Sequence, residues 1–219
     1  MMRVVIVLSV FVLILAGCSS GDTSKVITDS ITKPTINKVT SNELDSGQII
    51  YNHNYDNMDR GNHDLEGQVV IDLKYYNDHS FSRGDIVYFR NPETKKNLGD
   101  YRISRVIGLP GEKVKIEKGQ IYINGKMLDA FYGRAHRLGS DLDSLKEALE
   151  RDNLESHIRK NIENIVEYFQ QLIMEEFEIP EDHVYLVGDD WFRSNDSRLF
   201  GPLPTDKIEG RLVGVVGSP

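Results

Sequence analysis

Short stretches of apolar or alternating apolar and polar side chains recur along the chain from residue 68 onward. Their period of two and their content of β-branched and aromatic residues are typical of strands. Gly-containing pairs between neighbouring stretches, Lys118-Gly119 and Asn124-Gly125, are typical of tight hairpin turns. The pattern predicts a mainly β fold with strands at Gln68–Leu73, Asp85–Phe89, Tyr101–Ile107, Val114–Ile116, Gln120–Ile123, Lys126–Leu128, Val184–Val187 and Arg211–Val216.

The hydrophobic period changes from two to about 3.6 between Ser140 and Phe177. Ser140 can cap a short helix with three leucines on one side, and Asn153 can cap a longer helix. The apolar face of these helices would carry Leu142, Leu145, Leu149, Leu154, Ile158, Ile162, Ile165, Phe169, Leu172, Ile173 and Phe177. This stripe predicts a helical insertion that packs against the sheet, and the weaker alternative is a partner-binding or membrane face.

The first residues are typical of a targeting sequence. Val4–Ala16 follows Arg3 and is almost wholly apolar, but it is shorter than the roughly 20 residues that a membrane-spanning helix needs. Residues 1–17 are therefore predicted to be a signal peptide. The run Leu-Ala-Gly-Cys that ends at Cys18 resembles a bacterial lipobox, which implies a lipid on the Cys18 thiol. Residues 18–45 are rich in Ser and Thr and predict a flexible tether.

Composition excludes several classes of function. The 219 residues carry a formal net charge of −8, which disfavours a nucleic-acid partner. Hydrophobic residues make up 39% of the chain, which is enough for a globular core. A single cysteine excludes an intramolecular disulfide and any multi-cysteine metal site.

Two short motifs have simpler explanations than the chemistry they suggest. Residues 59–64, Asp-Arg-Gly-Asn-His-Asp, contain pieces of a metallophosphoesterase signature, and His53, Asp56 and His63 could hold one metal ion. A polar loop with local Asx turns explains them better, so no metal or other cofactor is expected. Arg83-Gly84-Asp85 looks like an adhesion tripeptide, but a turn that enters a strand explains it fully.

Three longer motifs occur in order and are much more specific. The first is Arg83-Gly84-Asp85 with the strand after it. The second is the run RVIGLPG, which supplies Arg105, Gly108, Pro110 and Gly111. The third begins with Gly188-Asp189-Asp190 and continues with Ser194, Asp196, Arg198 and Gly201. Together they resemble the type I signal peptidases, serine–lysine proteases that remove signal peptides from exported proteins. The resemblance extends from about Ser46 to the C-terminus.

The resemblance implies a fold and a division of the chain. The family fold is a coiled, mostly antiparallel β architecture with a small variable cap domain. Residues 46–128 would form the first part of the β core and residues 181–219 the second. Residues 129–180, which hold the predicted helices, would be an insertion in the cap.

The two reacting groups of the family are replaced here. The family uses a serine before methionine as nucleophile and a lysine before Arg-Val-Ile-Gly as general base. Met58 matches the methionine, so Asn57 stands at the nucleophile position, and Ser104 stands at the lysine position. A carboxamide is not an ordinary acyl-transfer nucleophile, and a serine hydroxyl is not a base near pH 7. Ser194 matches the family serine that positions the lysine, and Asp196 and Arg198 are expected to form an ion pair that shapes the cleft.

These substitutions lead to three hypotheses. The first is an inactive homologue, lipid-anchored on the extracytoplasmic face of a bacterial membrane, that binds extended segments of exported polypeptides by strand addition. The second is an active signal peptidase with non-standard residues, in which Ser104 or Ser194 could be the nucleophile. The third is a structural protein that docks a partner through the helical insertion.

Overall fold

The computed structural model describes residues 25–92 and 101–217. The strands, in chain order, are β1 (Val26–Thr28), β2 (Lys38–Val39), β3 (Gln48–His53), β4 (Gly67–Asp72), β5 (Ile86–Arg90), β6 (Tyr101–Gly108), β7 (Lys113–Glu117), β8 (Gln120–Ile123), β9 (Lys126–Asp129), β10 (His136–Arg137), β11 (Ser140–Asp141), β12 (Ile173–Glu178), β13 (His183–Val187), β14 (Leu203–Pro204) and β15 (Ile208–Val216). The helices are α1 (Tyr75–Asp78), α2 (Leu142–Leu149), α3 (Ser156–Gln171) and α4 (Ser197–Phe200). The protein is therefore mainly β, as the sequence pattern predicts.

The larger sheet curls around a core of its own. Its strand order is β14-β13-β6-β5-β15-β4-β3, with antiparallel neighbours, and β2 adds in parallel to β15. Side chains from β3, β4, β5, β6 and β15 meet in one cluster, which includes Ile49, Val69, Ile71, Ile86, Tyr88, Ile103 and Leu212. Three strands separate β3 from β6 in this order, so the two can share a cluster only if the sheet bends, and they face each other across this core.

The smaller sheet has the order β1-β9-β8-β7-β12. Its two tight turns are the ones the sequence predicts, because Lys118 and Gly119 have φ values of 50° and 76°, and Asn124 and Gly125 have values of 51° and 74°. Positive φ at both central residues is the requirement of a type I′ turn, whose twist matches that of the strands. Both hairpin predictions are confirmed.

The helical insertion covers one face of the smaller sheet. Phe169 is fully buried, and Ile162 and Ile165 pack against the same core as Ile121 and Ile123. This confirms the prediction that the apolar stripe packs against the sheet for most of its members, but Ile158 and Ile173 are 38% and 60% exposed and do not join this core. The prediction that one helix continues to Phe177 is wrong: α3 ends at Gln171, and the following residues form β12 against β7. After Gln171, backbone hydrogen bonds to β7 stabilise a strand more than the helical spacing of the apolar residues stabilises a helix.

The predicted helix starts are also shifted. Asp141 caps α2, because its carboxylate accepts the Ser144 N–H, so the predicted cap at Ser140 is wrong by one residue. The longer helix begins at Ser156 after Glu155, which makes no side-chain cap, and not directly after Asn153.

The segment before the curled sheet is not a free coil. Val26–Thr28 pairs with Met127–Asp129, and Lys38–Val39 pairs with Val215–Val216, both in parallel. The predicted flexible tether over residues 18–45 is therefore wrong for its described part, which begins at Lys25. Composition gave no strand signal here because the pairing partners lie more than 100 residues away.

Candidate functional site

Asn57, which the motif comparison places at the nucleophile position, is buried and bound on both ends of its carboxamide. It lies in the loop that joins β3 to β4, and its side-chain nitrogen donates to the Ile103 carbonyl at 2.8 Å. Its Oδ1 lies 3.0 Å from His53 Nε2, and His53 Nδ1 lies 2.6 Å from the Leu65 carbonyl oxygen. The carboxamide is thus held between β6 and a buried imidazole, and it faces no open solvent.

Ser104 lies on β6 and directly follows Ile103, whose carbonyl binds the Asn57 side chain. The structure therefore places the Asn57 side chain against the backbone next to Ser104, the second position that the motif comparison singles out. Ser104 is 2% exposed, and among the described residues its hydroxyl oxygen has no hydrogen-bond partner. No base contacts Ser104 Oγ within the described ranges, so the hydroxyl is not activated as a nucleophile.

The main-chain carbonyl of Asn57 is bound from the other side by the segment that follows β13. Asp190 donates its N–H to this oxygen at 2.9 Å, and Ser194 Oγ lies 3.0 Å from it and 2.6 Å from the Asp190 carbonyl. Gly188 makes the approach possible, since a Cβ there would lie 1.9 Å from Ser194 Oγ and 2.6 Å from the Asn57 oxygen. Among the described residues, the Ser194 hydroxyl is bonded to these two carbonyls, and neither is a general base that could make it nucleophilic.

A buried ion pair joins β6 to the same segment. Arg105 binds Asp189 through two hydrogen bonds, and its third contact is a 2.8 Å bond to the Gly84 carbonyl. The rings of Phe131 and Tyr132 lie 5.0 and 5.3 Å from the guanidinium. This pair fixes the strand that carries Ser104 against the turn that holds Asn57.

Asp196 and Arg198 form the ion pair that the sequence predicts. The guanidinium donates twice to the carboxylate, each time at 2.8 Å, and the Gly188 N–H donates to Asp196 Oδ2 at 2.9 Å. Arg198 also donates to the Trp191 carbonyl and lies over the Trp191 ring. The pair therefore shapes the turn that carries Gly188, and it acts on the site through this turn.

Asp190 is a buried carboxylate that sequence reasoning did not assign a role. Arg137 Nη1 lies 2.5 Å from its Oδ2, and the Leu138, Phe192 and Arg193 N–H groups donate to it. Burial raises the pKa of Asp190 above its ordinary value, and the contact with Arg137 opposes this. Asp190 thus ties the β10–β11 hairpin to the Asn57 loop.

His53 was considered in the sequence only as one of three metal ligands. Burial lowers the pKa of His53 below its ordinary value, and the positive charge of Arg102 acts in the same direction. Burial thus disfavours the charged imidazole, but both ring nitrogens face acceptor oxygens, those of Leu65 and Asn57, and a neutral ring can donate to only one of them. The position of His53 four residues before Asn57 was the one available signal, but the chain bend that brings the two together is not visible in sequence.

The remaining framework residues are distributed around the site and do not all converge on it. Met58 is buried in the core of the curled sheet, and Gly84 and Asp85 form the turn into β5. Arg83 instead pairs with Glu112 near the β6–β7 turn, which also contains Gly108, Pro110 and Gly111. Gly201 has a φ of 81° and ends α4. These residues hold strands and turns, and the side-chain hydrogen bonds of Asn57 go to His53 and Ile103 instead.

A cavity of about 550 Å³ is lined by residues that precede and follow Asn57 in its loop, but not by Asn57 itself. Its lining is polar and carries both signs of charge, with Tyr55, Asp56, Asp59, His63, Glu66, Arg137 and Arg193. The Asp59 carboxylate accepts the Gly61 and His63 N–H groups, so the 59–64 loop forms the local Asx turns expected of a polar loop. The described residues contain no group of three His, Cys, Asp or Glu side chains arranged for a metal ion.

The predicted signal peptide and the predicted lipidation site lie outside the described residues. Val4–Ala16 and Cys18 both precede Lys25, where the description begins. Within residues 25–92 and 101–217, none of the helices is both long enough and apolar enough to cross a bilayer.

Comparison with known proteins identifies the family. The sequence matches the family described as signal peptidase, peptidase S26, over residues 42–216. This match covers most of the chain, and it includes β3, the Asn57 loop, β6 and the segment after β13. The protein belongs to the signal peptidase S26 family.

Individual relatives are more distant and longer. The chain is 28% identical over 149 residues to a probable signal peptidase I-2 of Synechocystis sp., and the match covers 67% of this chain and 53% of that protein. It is 26% identical over 148 residues to signal peptidase IB of Staphylococcus aureus, with coverages of 66% and 65%. The chain thus spans between about half and two thirds of these relatives. The crystal structure of a signal peptidase I from Enterococcus faecalis matches with 27% identity, a TM-score of 0.39, and coverages of 61% and 97%.

Proposed function

We propose that this protein is a non-hydrolytic member of its family that binds extended segments of exported polypeptides. The observation that carries the proposal is the way in which the Asn57 side chain is bound. Its carboxamide occupies the nucleophile position of the family motif and is held by His53 and by the Ile103 carbonyl. The lysine position holds Ser104, a buried hydroxyl without a base.

Peptide hydrolysis needs a nucleophile and a group that takes its proton. Loss of a triad member in a serine hydrolase typically leaves only about 10³–10⁴-fold acceleration over water, from binding and oxyanion stabilisation. Here both positions have changed, and the nearby Ser194 hydroxyl donates to backbone carbonyls. The second hypothesis, a protease that uses Ser104 or Ser194, has no activated hydroxyl to support it.

The scaffold around the site is retained. The ion pairs Arg105–Asp189 and Asp196–Arg198 keep β6, the Gly188 turn and the Asn57 loop in register. A cleft that pairs with a peptide backbone needs these strands but needs neither nucleophile nor base. We therefore infer that the protein still binds extended polypeptides although it does not cleave them.

Attachment to the membrane is part of the same proposal. Cys18 follows the Leu-Ala-Gly run at the end of the apolar stretch and would carry the lipid. The binding domain would then lie at the extracytoplasmic membrane surface, where exported polypeptides emerge. The docking role of the helical insertion is less well supported, because Phe169, Ile162 and Ile165 are used to pack against the sheet.

The experiment is cleavage of a quenched signal-peptide substrate by the full chain in detergent. It is run beside the double variant Asn57→Ser with Ser104→Lys and beside each single variant as a matched control. A lysine at position 104 would be desolvated, which lowers an amine pKa toward the range of a general base. We expect the parent and both single variants to be silent and the double variant to cleave.

Direct binding is measured on the same preparations with a labelled, uncleavable signal-like peptide. Saturable binding by the parent together with no cleavage supports the proposal. Cleavage by the parent would overturn it, since a nucleophile would then exist that the site does not explain. Absence of binding at millimolar peptide would overturn it as well.

A further inference from the structure

The end strand β3 of the curled sheet and the first half of β6 meet along a seam. On one side of the seam lie Tyr51, Tyr55 and Asn57, from β3 and the loop after it. On the other lie Tyr101, Arg102 and Ile103, from the first half of β6. The ladder of β6 with β13 starts only at Arg105, so among the described residues no strand pairs with this part of β6 on the side away from β5.

The backbone direction of β6 determines which groups face the seam. Val106 donates to and accepts from the chain at Gly84 and Asp85, so its polar groups point toward β5. Backbone groups alternate along a strand, and residues an odd number of positions away point to the other edge. The carbonyls of Tyr101 and Ile103 therefore point into the seam, where an added strand would find its acceptors.

Both of these carbonyls are already bound by side chains from the opposite side. The Tyr51 hydroxyl donates to the Tyr101 carbonyl at 2.7 Å, and Asn57 Nδ2 donates to the Ile103 carbonyl at 2.8 Å. Tyr51 precedes Asn57 as Tyr101 precedes Ile103, so the two hydrogen bonds follow each other along the seam like successive rungs. Each rung joins a side-chain donor to one carbonyl and needs no third strand, and the Tyr101 carbonyl has a second, longer contact with Arg102 Nη1 at 3.4 Å.

Aromatic packing supports the rungs on both faces of the seam. Inside, the Tyr88 ring lies 4.9 Å from Tyr51 and stacks on Tyr101 at 4.6 Å. Outside, the Arg102 guanidinium lies 3.5 Å from the centre of the Tyr55 ring. The seam is therefore closed at three levels by groups that belong to the chain itself.

We propose that Tyr51 and Asn57 form a latch that holds the seam shut, so that the resting protein is self-inhibited toward strand addition. This inference rests on the proposed function, because the ligand that the latch excludes is the extended polypeptide. An entering strand must displace both side-chain donors before its own N–H groups can reach the two carbonyls. The latch thus sets the affinity of the site and keeps the β6 edge satisfied when it is empty.

The test is Tyr51→Phe, which removes the hydroxyl donor and keeps the ring between its neighbours. The matched control is Tyr122→Phe on β8, in the other sheet. Hydrogen–deuterium exchange of residues 101–104 is measured on the free proteins. Binding of a labelled, extended alanine–valine peptide with serine at both ends is measured by anisotropy. Loss of one hydrogen bond shifts an opening equilibrium by about two- to tenfold, so exchange should accelerate and affinity should rise by that factor.

The double variant Tyr51→Phe with Asn57→Ala removes both rungs and should increase exchange and affinity further, while Tyr122→Phe should match the parent. Unchanged exchange of residues 101–104 in Tyr51→Phe overturns the latch, whatever the peptide does. Equal peptide affinity in the parent and Tyr51→Phe also overturns it, if both bind. Faster exchange without peptide binding by any variant supports the latch and counts against the proposed function instead.

Discussion

Arg105 and Asp189 are joined by two parallel hydrogen bonds, from Nε to Oδ1 at 2.7 Å and from Nη2 to Oδ2 at 2.6 Å. Their side chains are only 3% and 1% exposed. Each residue directly follows a member of the site, Arg105 after Ser104 and Asp189 after Gly188. The pair therefore connects the two halves of the site through the interior of the protein.

Removing one charge of this pair should destabilise the fold strongly. Asp189→Asn leaves the buried Arg105 cation without a countercharge, which costs about 3–5 kcal/mol of unfolding free energy. The change is measured as the shift of the urea unfolding midpoint. Glu117→Gln, which breaks the exposed pair with Lys115, should leave the midpoint unchanged.

The double variant Arg105→Met with Asp189→Leu separates charge from packing. It removes both buried charges together, so its loss should be clearly smaller than that of Asp189→Asn. An equal loss in both variants would mean that the guanidinium acts mainly by filling space between Phe131 and Tyr132.

Gly188→Ala should disrupt the Asn57 loop. The added methyl group would lie 2.6 Å from the Asn57 carbonyl and 1.9 Å from Ser194 Oγ. We expect a loss of about 1–3 kcal/mol, since an overpacked site must shift its backbone. Adding Ser194→Ala removes the 1.9 Å contact but leaves the Asn57 oxygen at 2.6 Å and the Cβ of residue 194 at 2.8 Å, so it should restore only part of the loss. Full recovery in the double variant would contradict the close approach of the two backbones.

Stability should decrease as the pH falls below neutrality. Burial lowers the pKa values of His53 and His136 below the ordinary 6.5. Between the lowered values and 6.5, the unfolded chain binds protons that the folded chain does not, so the unfolding free energy rises with pH. The contribution is complete above about pH 7 and is lost as the pH falls from 6.5 through the lowered values.

His53→Gln should reduce this pH dependence, whereas His157→Gln should not, because the side chain of His157 is 70% exposed. Arg102 and Glu66 face His53 with opposite charges and partly offset each other. Urea unfolding between pH 5 and pH 8 measures the slope. A parent whose stability is flat in that range would contradict the lowered pKa of the buried imidazole.

The segment before β3 should contribute to stability. Ile36 packs against the core of the curled sheet, Tyr132 donates to Asp29, and Thr32 lies where a Cβ on Gly84 would have to be. Removing residues 1–40 should lower the unfolding free energy by about 1–3 kcal/mol, from lost burial alone. Removing residues 1–24 is the matched control and should change little. Equal stability of the two truncated proteins would restore the interpretation of this segment as a tether.

Local patterns predicted the fold well where the governing interactions are local. The turns at Lys118-Gly119 and Asn124-Gly125 depend on positive φ, which the residue types themselves favour. The strand β6 was likewise predicted from alternation, and the Asp196–Arg198 pair was implied by the resemblance to the family motif. The end of α3 was not, because β7 competes for the residues after Gln171.

The site divides in the same way. The ordered motifs alone led to the prediction that Asn57 and Ser104 stand at the family's serine and lysine positions, since this prediction depends only on residue identity. The sequence by itself determined the mainly β class. Only the tertiary structure decided that His53 and Ile103 bind the Asn57 carboxamide, and that Tyr51 reaches Tyr101 across the seam. These contacts join residues up to 50 positions apart, and the bending of the sheet that creates them arises from the packing of five strands around one core.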